Sequence, residues 1–241
     1  MSKKVALIVG GTSGIGLASA IEFENAGYTT VIAGRNEGAG QASAEAHNLS
    51  YLACDVQHSD SVNALVERVI DEFGCIDCAF NNAGWEGPAA PAGEIAEGDW
   101  QQMLDVKLSG VFRCMAAELK QMEKQGNGTI VNMAGNWGLV GFPNYSAYCA
   151  AAHGIMGLTK AAAMDYAGKG IRINAVCPGA VDAPMLDRMV GGSEEIKQSF
   201  GQQLAIGRIC QPDEIAKAVV WLCSDAASYV NGVGLTLDGG G

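Results

Sequence analysis

A glycine-rich turn directly after a short apolar segment constrains this chain more than any other part of its sequence. Val5–Val9 contains only apolar residues, which is typical of a strand buried on both faces. Gly10, Gly14 and Gly16 then lead into a segment predicted to be an amphipathic helix over residues 15–27. A helix that begins in such a turn points free backbone N–H groups at it, where a phosphate binds well. Strand, turn and helix in this order predict a dinucleotide-binding βαβ unit.

The remainder of the chain alternates short apolar segments with longer amphipathic ones. This alternation, without an internal repeat or a linker, favours one α/β domain over residues 1–241. Further strands are predicted at residues 29–33, 51–54, 77–80, 129–133, 171–176 and 234–237. Further helices are predicted at residues 59–73, 99–124, 146–168 and 212–223. The segment from residue 178 to about 207 is predicted to be mobile.

Composition excludes several classes of function. A net charge of −11 argues against nucleic acids and anionic membranes as partners, because Lys and Arg dominate phosphate binding. No apolar run approaches the roughly 18 residues of a membrane span, and the start of the chain lacks signal-peptide features, so we expect a cytoplasmic protein. Cys75 and Cys78 have C-x-x-C spacing but no second pair and no nearby His, so no metal site is predicted.

The end of the second predicted strand bears on the choice of cofactor. An acidic residue there would bind an adenosine ribose 2′-hydroxyl, but the strand ends at Gly34-Arg35-Asn36. Arg35 suits a 2′-phosphate better, which favours NADP over NAD, although a solvated turn residue fits the sequence as well. The expectation is therefore NAD or NADP as cofactor.

Motifs along the whole chain resemble those of the short-chain dehydrogenase/reductase family, in its compact single-domain branch. They are Gly10-x-x-x-Gly14-Ile15-Gly16, Asp55-Val56, Asn81-Asn82-Ala83-Gly84, Ile130-Val131-Asn132, Tyr145-Ser146-Ala147-Tyr148, Asn174-Ala175-Val176-Cys177-Pro178-Gly179 and Asp238-Gly239-Gly240. The resemblance implies a Rossmann-type, doubly wound, seven-stranded parallel sheet with helices on both faces, usually in a tetramer. It implies cofactor-binding residues at Gly10, Ser13, Gly14, Ile15, Gly16, Arg35, Asp55, Val56, Asn82, Ala83, Gly84, Pro178 and Gly179.

The resemblance also implies a catalytic mechanism and four residues to perform it. In the family, a tyrosine is the general acid/base, a lysine four residues later supports it, a serine contacts the substrate oxygen and an asparagine organises a water relay. The tyrosine falls at Tyr148, but the lysine, serine and asparagine positions hold Ala152, Gly135 and Lys107. Two further departures, at usual threonine positions, are Val9 and Ala183.

These departures favour a protein without activity of its own. A tyrosine with an ordinary pKa of about 10 is a poor base at pH 7, and losing an oxyanion donor costs roughly 2.7–4 kcal/mol. We therefore expect a catalytically inactive subunit that assembles with an active paralogue as a tetramer. Such a subunit resembles the inactive chains of heterotetrameric hydroxyacyl-CoA dehydrogenases of the benzylsuccinate-pathway type.

The alternative hypothesis is an active NAD(P)-dependent enzyme that interconverts an alcohol and a carbonyl. Lys107 would then replace the missing lysine beside Tyr148, and Asn136 would offer a donor in place of the serine. The opposing interpretation of Lys107 is a cation that only satisfies acceptors in a cavity. His153 follows Ala152 but points about 100° away on a helix, so it is expected outside the pocket. A dinucleotide sensor without chemistry is a third possibility.

Aromatic and methionine side chains follow several predicted strand ends, where folds of this class place a substrate crevice. They would line the crevice, plug it or pack against a partner, and the sequence does not separate these alternatives. The residues are Trp85, Trp137, Phe142, Met185, Met189 and Phe200.

Overall fold

The computed structural model describes residues 3–241, which form a single seven-stranded parallel sheet in the order β3-β2-β1-β4-β5-β6-β7. This confirms the predicted Rossmann-type, doubly wound sheet. The order reverses between β1 and β4, which is the point where such sheets bind ligands. The strands are β1 Val5–Val9, β2 Thr29–Gly34, β3 Ser50–Ala53, β4 Cys78–Asn81, β5 Gly128–Met133, β6 Ile171–Pro178 and β7 Gly234–Leu237.

Helices cover both faces of the sheet. They are α1 Gly14–Asn25, α2 Glu37–His47, α3 Ser59–Phe73, α4 Glu97–Met103, α5 Gly110–Gln125, α6 Ser146–Tyr166, α7 Pro184–Met189, α8 Glu194–Gln203 and α9 Pro212–Cys223. Alternate residues of β1 enter two different cores: Leu7 packs with α3, α5 and α6, whereas Ile8 packs with α1 and α9. Burial on both faces explains why β1 contains no polar residue.

The predicted helix over residues 99–124 is interrupted in the structure. Helix α4 gives way to one π-helical segment, Leu104–Ser109, before α5 begins. Such π-helical insertions change which side chains face inward and are frequent at functional sites. Here the segment includes Lys107, whose side chain is only 2% exposed.

Three helices of the structure, α2, α7 and α8, have no counterpart among the predicted elements. Helix α2 was not predicted, because its stretch of Gly, Ala and Glu buries only Gly40 and Ala44 and has no strong apolar stripe. The segment predicted to be mobile contains α7 and α8. Lys197 of α8 is ion-paired with Asp182, Asp187 and Glu194, which ties both helices to the loop after β6.

No helix within residues 3–241 is long and apolar enough to cross a bilayer.

Candidate active site

The glycine turn after β1 has the geometry that a pyrophosphate needs. Gly10 and Gly14 have φ values of +79° and +53°, in the left-handed region that favours glycine. A Cβ at Gly16 would overlap the carbonyl oxygen of Gly10, so α1 can approach β1 this closely only with glycine there. Asn82 Nδ2 donates a 2.9 Å hydrogen bond to the same carbonyl and joins the end of β4 to the turn.

The space above this turn is bounded by the loop after β6. A Cβ at Gly14 would lie 3.4 Å from Ala183 Cβ and 3.4 Å from Pro184 Cδ. A Cβ at residue 14 would thus contact this loop at ordinary van der Waals distance, and the positive φ of Gly14 is what favours glycine there. The backbone and glycine pattern fit the pyrophosphate of NAD(P), for which Gly10, Ser13, Gly14, Ile15 and Gly16 would provide the contacts.

The remaining predicted cofactor residues lie at the carboxyl ends of neighbouring strands, as expected for one elongated site. Asp55 is partly buried, and its carboxylate accepts a 3.0 Å hydrogen bond from the backbone N–H of Gln57. A Cβ at Gly10 would lie 2.6 Å from the backbone nitrogen of Ala83, so these two turns are in direct contact. The others in this group are Val56, Gly84, Pro178 and Gly179.

Arg35 is exposed at the end of β2 and has no acidic partner within ion-pair distance among residues 3–241. Its Nη1 donates a long, 3.4 Å hydrogen bond to Gln57 Oε1. Asn36 is held in place because its side chain caps α2 by accepting from Ala39 N. The guanidinium is therefore available to a phosphate at this edge of the sheet.

The structure brings Lys107 and Tyr148 together from different helices. Lys107 Nζ lies 4.2 Å from the centroid of the Tyr148 ring, within the range of a cation–π interaction. Its one hydrogen bond is a 3.5 Å contact with the carbonyl oxygen of Met133, and no carboxylate of residues 3–241 lies within 4.0 Å of it. Burial raises the pKa of the Cys177 thiol to about 11, and the nearby Lys107 ammonium opposes that rise. Lys107 is thus a buried cation without an anionic partner in the described chain.

The usual serine and lysine positions are closed to larger side chains. Gly135 has φ +86° and ψ 157°, a combination essentially restricted to glycine. A Cβ there would lie 3.2 Å from Tyr148 Oη, so the glycine lets the tyrosine oxygen sit against the main chain. Ala152 is fully buried beneath the short helical turn Asn136–Gly138. His153 is exposed, and its Nδ1 lies 2.9 Å from Cys149 O.

An aromatic cluster covers Tyr148 on the crevice side. Trp137 stacks on Phe142 with ring centroids 4.2 Å apart and meets the Tyr148 ring edge-on at 5.2 Å. Tyr145 completes the group at 5.0 Å from Trp137. Trp85 and Met185 pack on the small buried cluster that contains Tyr148. Trp137, Phe142 and Tyr145 therefore pack on one another and on Tyr148 as one aromatic cluster.

An ion pair that the sequence did not reveal joins α7 to the loop after β4. Arg188 of α7 forms two hydrogen bonds with the carboxylate of Glu86, one of them 2.9 Å long, across the mouth of the site. Burial works to raise the pKa of Glu86, but the Arg188 guanidinium outweighs it and holds that pKa below its usual value. The cavity between Glu86 and Tyr148 is only about 10 Å³. This is about the space of one water molecule.

The cysteines are not arranged as a metal centre. Within residues 3–241 no group of three or more His, Cys, Asp or Glu side chains is placed to hold a metal ion. Cys75 Sγ donates to Asp77 Oδ2 at 3.3 Å, whereas Cys78 is buried against α9.

Several known proteins similar to this chain are named dehydrogenases or reductases. A 2,5-dichloro-2,5-cyclohexadiene-1,4-diol dehydrogenase of Sphingobium indicum is 39% identical, over 100% of this chain and 97% of its own length. A cis-4-hydroxycyclohexanecarboxylate dehydrogenase of Sinomonas cyclohexanicum is 38% identical, over 99% of this chain and 96% of its own length.

Two solved structures of reductases are also similar to this chain. A levodione reductase has a TM-score of 0.95 and 34% identity, covering 100% of this chain and 98% of its own. An actinorhodin polyketide ketoreductase variant crystallised with NADPH has a TM-score of 0.94 and 33% identity, with the same coverage of both chains.

These relatives contradict the expectation of an inactive subunit. They carry the names of active enzymes, and this chain matches them over nearly their whole length. The fold and the glycine turn are intact in this chain. The heterotetramer with an active paralogue, similar to the benzylsuccinate-pathway type, gains no support from them. The alternative, an active oxidoreductase, agrees better with these findings.

The family model described as "Enoyl-(Acyl carrier protein) reductase" matches residues 9–241. With the parallel sheet, the glycine turn and relatives of 38–39% identity, this match establishes the family. The chain belongs to the short-chain dehydrogenase/reductase family.

Proposed function

We propose that this protein is an active NAD(P)-dependent oxidoreductase that interconverts a secondary alcohol and a ketone. Tyr148 is the general acid/base, and Lys107 takes the place of the lysine that the family usually carries four residues after the tyrosine. The observation that supports this proposal most strongly is the buried amino group of Lys107 over the Tyr148 ring, with no carboxylate of residues 3–241 within 4.0 Å of it.

The position of Lys107 gives it a chemical role. When a ketone is reduced, Tyr148 Oη gives its proton to the substrate oxygen and negative charge develops on the phenol oxygen. A cation held nearby in a site without water stabilises that charge, and burial makes the interaction stronger than it would be in water. In the reverse direction the same charge allows Tyr148 to take a proton from the alcohol.

The cofactor supplies or accepts the hydride when bound. The residues that would hold it are those of the glycine turn, Arg35 and the strand-end loops described above. Because Arg35 is exposed without an acidic partner, we propose that NADP is preferred over NAD. Departures at Val9 and Ala183 leave the backbone cradle in place.

The substrate class is proposed from the crevice together with the names of the relatives. Trp137, Phe142 and Tyr145 present flat apolar surfaces beside Tyr148, which suit a ring better than an extended polar chain. Several relatives are named for six-membered cyclic alcohols, among them a cyclohexanol dehydrogenase of Acinetobacter. We propose a cyclic secondary alcohol and its ketone. A tetramer and a cytoplasmic location remain predictions.

The test uses the purified chain alone. NADPH and NADH are each supplied with cyclohexanone and substituted cyclohexanones, and loss of reduced cofactor is followed optically beside the product. Turnover by the wild type that is lost in Tyr148→Phe supports the proposal. No turnover with any ring ketone or ring alcohol would contradict it.

A further inference from the structure

Four polar side chains from four different elements meet in the core beneath the active site. They are Asn81 of β4, Glu118 of α5, Asn132 of β5 and Thr159 of α6. None is more than 1% exposed. A carboxyl group in such a position needs either a cation or a proton, because an isolated buried charge is unfavourable.

Hydrogen bonds connect these four side chains, with the amide of Asn81 as the first donor. Asn81 Nδ2 donates to Glu118 Oε2 at 2.9 Å and to Asn132 Oδ1 at 3.2 Å. Asn132 Nδ2 in turn donates to Thr159 Oγ1 at 3.0 Å. Both hydrogens of the Asn81 amide nitrogen are therefore used.

Two oxygens of the cluster have no hydrogen-bond partner among residues 3–241, and both are acceptors. They are Asn81 Oδ1 and Glu118 Oε1, which belong to two residues that already share a hydrogen bond. An ionised carboxylate can only accept, so an ionised Glu118 would leave both oxygens without a donor. One proton on Glu118 Oε1 turns that oxygen into the missing donor.

No cation replaces this proton in the described chain. Among residues 3–241, no Lys, Arg or His nitrogen lies within 4.0 Å of the Glu118 carboxylate. The titratable groups that face it are the thiols of Cys114, on the same helix, and Cys54, after β3. Both thiols have raised pKa values, mainly because they are buried, and a neutral thiol does not stabilise a carboxylate charge.

We propose that Glu118 is a neutral carboxylic acid in the native protein, and that its Oε1–H donates to Asn81 Oδ1. Together with the observed Asn81 Nδ2 contact, this closes a reciprocal acid–amide pair in which each group donates once and accepts once. The direction of titration agrees, since burial raises the pKa of Glu118 to about 7 and the hydrogen bond from Asn81 only partly opposes it.

The pair lies next to both halves of the active site. Asn82, adjacent to Asn81, donates to the carbonyl of Gly10 in the cofactor turn. Met133, adjacent to Asn132, accepts the one hydrogen bond of Lys107. Glu118 is therefore connected, through Asn81 and Asn132, to the ends of β4 and β5 that bear these two contacts.

The pH dependence follows from linkage. An unfolded glutamate ionises near a pKa of about 4.3, whereas native Glu118 does so at about 7. The stability that Glu118 contributes is complete below the unfolded value and falls as pH rises, by about tenfold in the folding constant per pH unit. The loss stops above pH of about 7 and amounts to about 10²–10³-fold.

Glu118→Gln provides the test, because an amide can donate to Asn81 Oδ1 and accept from Asn81 Nδ2 without ionising. Urea unfolding of both proteins is measured between pH 4.5 and 8.5. The ratio of the folding constant of Glu118→Gln to that of the wild type is expected to rise with pH and then level off. A ratio independent of pH, or one that falls, would overturn the proposal. Glu67→Gln, at an exposed position of α3, is the control and should show a flat ratio.

Two further measurements distinguish the effect of a proton on Glu118 from the effect of side-chain packing. Glu118→Met fills similar space without any pairing, so it should be less stable than Glu118→Gln at every pH; equal stability would contradict the acid–amide pair.

Infrared difference spectra at pH 6 should show a protonated carboxyl C=O band in the wild type that is absent in Glu118→Gln. Absence of that band in the wild type would exclude the neutral acid. None of these readouts depends on catalysis, so the result stands apart from the proposed function.

Discussion

Lys107 Nζ lies 4.2 Å from the centre of the Tyr148 ring, although the two residues belong to different helical segments. Lys107 lies in the π-helical segment and its side chain is buried. At position 152, where the family usually has a lysine, this chain has the small residue Ala152. The contact thus places the amino group of Lys107 beside the tyrosine ring. This replacement is the basis of the proposed activity.

Gly135→Ala should destabilise the protein by about 1–3 kcal/mol, because its backbone conformation is restricted to glycine. The new Cβ would also press on Tyr148 Oη. Urea unfolding measures the effect. Gly141→Ala is the matched control, since nothing lies within 4 Å of a Cβ there and its φ is ordinary. Equal stabilities of the two variants would show that the Gly135 backbone is not constrained.

Gly16→Ala should remove micromolar binding of NADPH, because the new Cβ overlaps the Gly10 carbonyl and distorts the turn. Calorimetric titration measures the affinity. Gly157→Ala, in the middle of α6 with open space around it, should bind as the wild type does and gain about 0.5–1 kcal/mol of stability. Unchanged binding by Gly16→Ala would place the cofactor elsewhere.

Arg35→Ala should weaken NADPH binding by about tenfold to a hundredfold, the range for a hydrogen bond to a charged group. NADH binding should change little, because NADH has no 2′-phosphate for the guanidinium to contact. The two dissociation constants of each protein are compared by calorimetry. A similar loss for both cofactors would mean that Arg35 does not read the 2′-phosphate.

The Glu86–Arg188 ion pair should control how fast a substrate enters. Salt screens a half-exposed pair, so substrate association with the wild type should accelerate as ionic strength rises. Glu86→Gln should already associate faster, by up to about fivefold, and respond little to salt. Stopped-flow tryptophan fluorescence reports the step, since Trp85 and Trp137 border the site. Lys217→Gln breaks an exposed ion pair on α9 and serves as the control. An identical salt response of Glu86→Gln and the wild type would exclude the pair as a latch.

Much of the fold could be predicted because its determinants are local. Val5–Val9 is entirely apolar and buried, which predicts the strand. Gly10, Gly14 and Gly16 are needed at specific backbone positions, which predicts the turn. Helix α3 was placed at its observed bounds, Ser59–Phe73, because its apolar stripe is regular. Helix α2 lacks such a stripe and was missed.

The candidate site depends more on contacts between distant parts of the chain. Sequence motifs identified Tyr148 and made Lys107 a candidate for the missing lysine. The contact between them involves a π-helical segment, which the spacing of apolar residues does not predict. The Glu86–Arg188 pair joins residues 102 positions apart, and no local pattern encodes such a pair. The inference of inactivity depended on motif positions alone, and relatives that carry the names of active enzymes contradict it.

The most direct test of the account is the turnover number of Lys107→Met with NADPH and a cyclic ketone. We expect a fall of about 10²–10³-fold relative to the wild type, since a charge-stabilising group is removed. Lys120→Met, at an exposed position of α5, should keep wild-type turnover. Wild-type turnover by Lys107→Met would contradict the claim that Lys107 supports Tyr148.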